Sequence, residues 1–64
     1  MNYYYCVRYR SHASGDMFIV VGNDHDSLHN AIYHNIPHPH YIVYVRFAIE
    51  YRAQEYCNRF NESL

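Results

Sequence analysis

Lysine and tryptophan are missing from the 64 residues altogether, and cysteine, glycine and proline occur only twice each. Each scarcity closes a class of function. With five arginines set against six acids, the chain lacks the cationic surplus that phosphate neutralisation recruits, and it is equally far from an acidic DNA mimic. Cys6 and Cys57 are too few for a disulfide scaffold and read as small buried hydrophobes. No glycine-rich oxyanion turn or nucleophile elbow accompanies any cysteine and histidine, so the chain is expected not to be an enzyme. The longest apolar runs, Met17 to Val21 and Tyr41 to Val45, are far too short to cross a bilayer, and no basic region precedes a hydrophobic stretch around Asn2 to Tyr5. A cytoplasmic protein without a membrane partner is the expectation.

What the chain does have is tyrosine, nine in number, beside its five arginines. These residue types concentrate at interface hot spots, because a rigid amphipathic ring and a planar five-donor fork give much contact energy for little lost entropy. Half of the residues are apolar and 17% are charged, a globular rather than disordered composition. The length fits a single domain over residues 1–64, and a domain of this size buries only roughly 60% of the surface its unfolded chain exposes, so the core must be small.

Residues Tyr3 to Arg10 alternate, with Tyr3, Tyr5, Val7 and Tyr9 on one face and Tyr4, Cys6, Arg8 and Arg10 on the other, which predicts a half-buried strand. A turn cluster from Ser11 to Asp16, with Ser14 and Gly15, leads into a second strand over Met17 to Val21 and hence a hairpin. Asp24 offers an N-cap, with Asp26 and Ser27 in the first turn, to a helix carrying Leu28, Ala31, Ile32 and Asn35 or Ile36. Pro37 and Pro39 predict its end by Ile36. Alternation returns from Tyr41, with Tyr41, Val43, Val45, Phe47 and Ile49 on one face and Ile42, Tyr44, Arg46, Ala48 and Glu50 on the other. Ala53, Tyr56, Cys57 and Phe60 then recur at helical spacing, with a fourth strand near Ala53 as the alternative. The fold expected is α+β and two-layer: a three-stranded sheet in the order strand, strand, helix, strand, helix, with a helix packed on one face. A helical crossover between the second and third strands implies parallel or mixed pairing.

With the Tyr3 and Val43 faces beneath the first helix, the opposite face displays Tyr4, Arg8, Arg10, Tyr44 and Arg46, the first candidate partner-binding surface. The competing reading has the second helix cover part of that face and bury Cys6 against Cys57, in which case oxidation would crosslink a loop of about 50 residues for up to roughly 4 kcal/mol. Tyr33 and the His38 to Tyr41 loop, with His40, form a second candidate surface. His25 and His29, one helical turn apart, and the group His34, His38 and His40 invite a metal reading, but no cysteine pair of ligand spacing accompanies them. Neither metal nor cofactor is expected. Alternating aromatics beside arginines from Tyr3 to Arg10 also suit a single-stranded nucleic-acid platform, which is the alternative function. An edge strand with exposed tyrosines leaves a homodimer open.

The hairpin, the cap around Asp24, the helix positions Leu28, Ala31 and Ile32 and the return strand Tyr41 to Ile49 together resemble small phage-encoded inhibitor proteins: the RNA polymerase inhibitor of T7-like phages and type I anti-CRISPR proteins. The resemblance is one of layout, and no binding motif is shared; the tryptophan-bearing surface of the T7-type inhibitor has no counterpart. It implies a non-enzymatic protein in the host cytoplasm that occupies a functional surface of a large protein or ribonucleoprotein complex, in CRISPR-Cas defence or in transcription.

Overall fold

The computed structural model of the chain describes residues 2–13, 15–23 and 27–63. Strand β1 (Tyr3–Ser11) and strand β2 (Gly15–Asn23) come first, followed by helix α1 (Leu28–Asn35), strand β3 (Tyr41–Phe47) and helix α2 (Glu50–Ser63), the α+β order expected. β1 and β2 pair without a slip from Tyr3 opposite Asn23 to Ser11 opposite Gly15. The chain therefore reverses between Ser11 and Gly15, and Gly15 enters β2 at φ 77°, a left-handed angle that glycine adopts without the strain of a side chain.

The cap expected at Asp24 lies outside the described residues, as do Asp26 and His25. Ser27, expected inside the first turn, is itself the cap: its backbone is extended (φ −62°, ψ 151°) and its hydroxyl accepts the Asn30 N–H at 3.2 Å. At the other end Ile36 leaves the helix at φ −138°, while its N–H still reaches the Ile32 carbonyl at 2.7 Å. The extended backbone at Ile36 lies outside the helical region, which Pro37 disfavours for its predecessor.

The pairing is antiparallel throughout, not parallel or mixed. The strand order is β2-β1-β3, and β1 runs antiparallel to both neighbours. β2 and β3 do point the same way, as a helical crossover demands, but β1 lies between them and they never hydrogen-bond.

Alternation on β1 feeds two apolar clusters. On one face Val7 and Val21 are fully buried with Ile32 of α1, joined by Ala31 and Ile36 and flanked by Tyr5, Tyr9, Tyr41 and Val43. On the other, Cys6 and Phe18 meet Cys57 of α2, flanked by Val20, Tyr56 and Phe60. α1 supplies the helix expected on one face, and α2 adds a further layer on the opposite one. The positions predicted to line α2 do so: Ala53 and Cys57 are fully buried, and Tyr56 and Phe60 are half-buried.

The long alternation of β3 is interrupted. Tyr5 pairs with Arg46 but Val7 pairs with Val43, so two steps along β1 match three along β3, a bulge at Tyr44 and Val45. Beyond it the faces exchange. Phe47, expected beneath α1, instead packs on Tyr56 of α2 with ring centroids 5.5 Å apart. Arg46, expected on the opposite face, shares Tyr5's side and lies over the Tyr3 ring at 4.3 Å. The strand also stops at Phe47, and Ile49, expected on it, presents its carbonyl to the N–H groups of Arg52 and Ala53 at the start of α2.

The far end of α2 is anchored by one amide. Asn61 accepts the Phe18 N–H and donates to the Phe18 carbonyl, both at 2.9 Å. Replacing Asn61 by alanine leaves a part-buried N–H and C=O unmatched and should cost about 1–3 kcal/mol in equilibrium urea unfolding; an unchanged midpoint would show that water serves these groups equally well. Gly15→Ala meets no atom within 4 Å, so its loss of about 1–2 kcal/mol should be pure backbone strain. A loss shared equally by Gly22→Ala would argue against that origin.

Candidate functional site

Asp16 organises the first candidate surface. It stands across the hairpin from Arg10, and its carboxylate takes Arg8 on one oxygen and the Arg10 Nε–H on the other at 3.2 Å. Arg8 also donates to the Tyr44 hydroxyl at 3.1 Å. The Tyr44 ring is held edge-on to Phe18 (5.4 Å, 86°) and against Phe60 of α2 (5.8 Å). Arg8, Arg10 and Tyr44 are thus brought together and pre-oriented, with two guanidinium groups around one carboxylate.

Tyr4 and Arg46 do not join them. Tyr4 pairs with Gly22 toward the opposite end of β1, where its ring passes 3.6 Å from the place a Cβ on Gly22 would take, an ordinary contact. Arg46 is on the other side of the sheet because of the bulge. The first candidate surface therefore divides, and α2 covers its centre over Cys6 and Phe18.

The second candidate surface lies beside the first. Pro37, His38 and Pro39 leave α1 at the end of the sheet that holds the hairpin turn. A largely apolar pocket of about 180 Å³ opens there between Tyr33, Pro37, His38, Pro39 and Tyr41. Its edge is stiffened by a hydrogen-bonding contact between His29 Nδ1 and the Tyr41 hydroxyl at 3.0 Å. On the other side of Tyr41 a shallower concavity is lined by Arg8, Arg10, Asp16, His40 and Ile42. Pro39 and Tyr41 line both regions, and beside them His38 Nδ1 lies 3.2 Å from the His40 N, with its ring 6.2 Å from that of Tyr9 and 6.5 Å from that of His12. Of the candidates, Arg8, Arg10 and Tyr44 come together on the α2 face and Tyr33 and His38 on the α1 face, and Pro39 and Tyr41, which line both concavities, connect the two at the end of the sheet beside His40.

Sequence reasoning missed two members of this surface. Asp16 looked like turn composition, although its place opposite Arg10 follows from the hairpin register once the turn length is known. Ile42 pairs with Arg8 and is 56% exposed, which makes it an apolar contact amid charge. Alternation places it on the same face as Tyr44, but an isoleucine reads as core and yields to the tyrosine and arginines. Among the described residues, no three metal-ligating side chains gather, and no helix is long and apolar enough to cross a membrane. No protein-family model, curated protein or solved structure matches the chain.

Hydrogen bonding from Arg8, aided by Arg10, holds the Asp16 carboxyl below its ordinary value of 3.8 against an opposing effect of desolvation. A carboxylate depressed in this way stabilises the folded state above the unfolded pKa, and that contribution is lost as pH falls through the lowered native value. Urea unfolding compared at about pH 6 and about pH 2.5 should show an acid-labile component that Asp16→Asn removes. Superimposable pH dependences for the two proteins would mean that the arginines are not fixed through Asp16.

Proposed function

We propose that the chain is a non-enzymatic, protein-binding inhibitor of the phage type, which blocks a host macromolecular complex by occupying a functional surface. The observation that carries this reading is a pair of adjoining concavities that share Pro39 and Tyr41: an apolar pocket holding Tyr33 and His38, and a second lined by Arg8, Arg10, His40 and Ile42. Aromatic and arginine anchors beside a pocket are what a hot spot consists of, and the Asp16 contacts reduce the entropy lost when Arg8 and Arg10 meet a partner. Tyr33 and Ile42 are 62% and 56% exposed and are available as anchors. The resemblance in layout to anti-CRISPR proteins and to the T7-type polymerase inhibitor directs the proposal to CRISPR-Cas defence or transcription complexes in the host cytoplasm.

A single-stranded nucleic-acid platform draws less support from the same geometry. Of the aromatics that alternate from Tyr3 to Arg10, Tyr5 and Tyr9 are packed beneath α1, on the face away from Arg8 and Arg10, and are withdrawn from stacking beside them. Local charge is also modest, because Asp16 offsets one of the two neighbouring arginines.

A tagged chain should retain a discrete protein complex from bacterial lysate with and without nuclease. Arg10→Ala together with Tyr33→Ala should weaken that retention at least about tenfold while leaving the thermal midpoint nearly unchanged, since both side chains are exposed. Recovery that disappears with nuclease, with affinity falling steeply as salt rises, would transfer the function to nucleic acid. Full retention by the double variant would remove this end of the molecule from the interface.

A further inference from the structure

The second apolar cluster contains the chain's two cysteines in direct contact. Cys57 Sγ of α2 lies 2.8 Å from Cys6 Sγ of β1, the residues are 51 positions apart, and both side chains are fully buried. Phe18, Val20, Tyr56 and Phe60 surround the pair and supply neither charge nor base. These surroundings do not suit nucleophilic use: burial pushes both thiols up, away from the thiolate. A metal site would need further ligands, and none of the flanking side chains is one. Joining the sulfurs to each other needs no further side chain, only an external oxidant, and the packing already holds them on facing sides of a helix and a strand.

We propose that Cys6 and Cys57 are the site of an intramolecular disulfide that ties α2 to β1 when the chain meets a low-molecular-weight disulfide as oxidant. The thiolate of one cysteine attacks the oxidant, forming a mixed disulfide and expelling one small thiolate. The second cysteine's thiolate then attacks the protein sulfur of that mixed disulfide, closing the Cys6–Cys57 bond and expelling the other small thiolate. Two protein S–H bonds are replaced by one S–S bond, the oxidant's S–S bond is reduced to two thiols, and the departing thiolates take up the two protons. Because the sulfurs are buried, the first attack waits for α2 to lift, so oxidation is slow in the folded chain and fast during refolding. In a reducing compartment the pair persists as thiols and packs as two small hydrophobes.

The full chain is refolded in a glutathione redox buffer and, separately, in excess reductant, then alkylated and weighed. The oxidised product should be a monomer lighter by two hydrogen atoms that takes up no alkylating agent, and trypsin should release residues 1–8 and 53–59 joined together. Its thermal midpoint should exceed that of the reduced chain by at least about 10 °C, and its unfolded fraction should be lower by roughly a thousandfold. Two alkylated cysteines, glutathione adducts or linked dimers as end products would overturn the proposal. So would a disulfide monomer with an equal or lower midpoint, since that bond would be strained. Cys57→Ser should lose the oxidant-dependent rise; if that variant fails to fold, the comparison of oxidised and reduced native chain still decides.

Discussion

Everything in this fold hangs on β1, the one strand hydrogen-bonded along both edges and packed on both faces. Its neighbouring residues Cys6 and Val7 are each fully buried, on opposite sides of the sheet, against different helices. A chain of this length cannot build one thick core, and two thin ones that share β1 and its partner β2 are the solution reached. Neither cluster stands alone: loosening β1 exposes both at once, which couples the helices to each other although they lie on opposite faces.

The abundance of tyrosine follows in part from that constraint. Ile32 is the largest fully buried side chain, with Val7, Val21, Cys6 and Cys57 after it, so the clusters need large rings at their rims to exclude water. Tyr5, Tyr9, Tyr41 and Tyr56 serve as such rims, with the ring inside and the hydroxyl free to reach water or a neighbour. Tyr33, Tyr44 and Tyr51 are the exposed ones. Composition alone could not separate ring-as-wall from ring-as-anchor, because both uses select the same amphipathic side chain.

Much of the architecture was legible because its signals are local. The alternation of Tyr3 to Arg10, the turn at Gly15, the prolines after Ile36 and the helical spacing from Ala53 to Phe60 each report on a few neighbouring residues. The strand order was not legible, since a helical crossover fixes the relative direction of β2 and β3 but not whether a third strand lies between them. The bulge was hidden for a different reason. Tyr41 to Ile49 is apolar at nearly every position, so a shift of one residue exchanges one hydrophobic side chain for another and leaves no trace in the pattern. That shift separates Arg46 from Arg8 and divides the first candidate surface. The second group, Tyr33 and the His38 to His40 loop, stays together because its placement depends on a helix end and two prolines rather than on register.

The Asn61 amide and the bulge share a consequence for how the molecule behaves in a crowd. β2 and β3 are both edges, and an open edge is a template on which a second chain can add strands and begin to aggregate. On β2, Asn61 occupies the outward N–H and C=O of Phe18 in the middle of the strand. On β3, the added residue at Tyr44 and Val45 twists the edge out of plane. An incoming strand would find only short, interrupted ladders on either side. In a chain half apolar by composition, an amide and a bulge thus stand at the edges where other proteins place lysine.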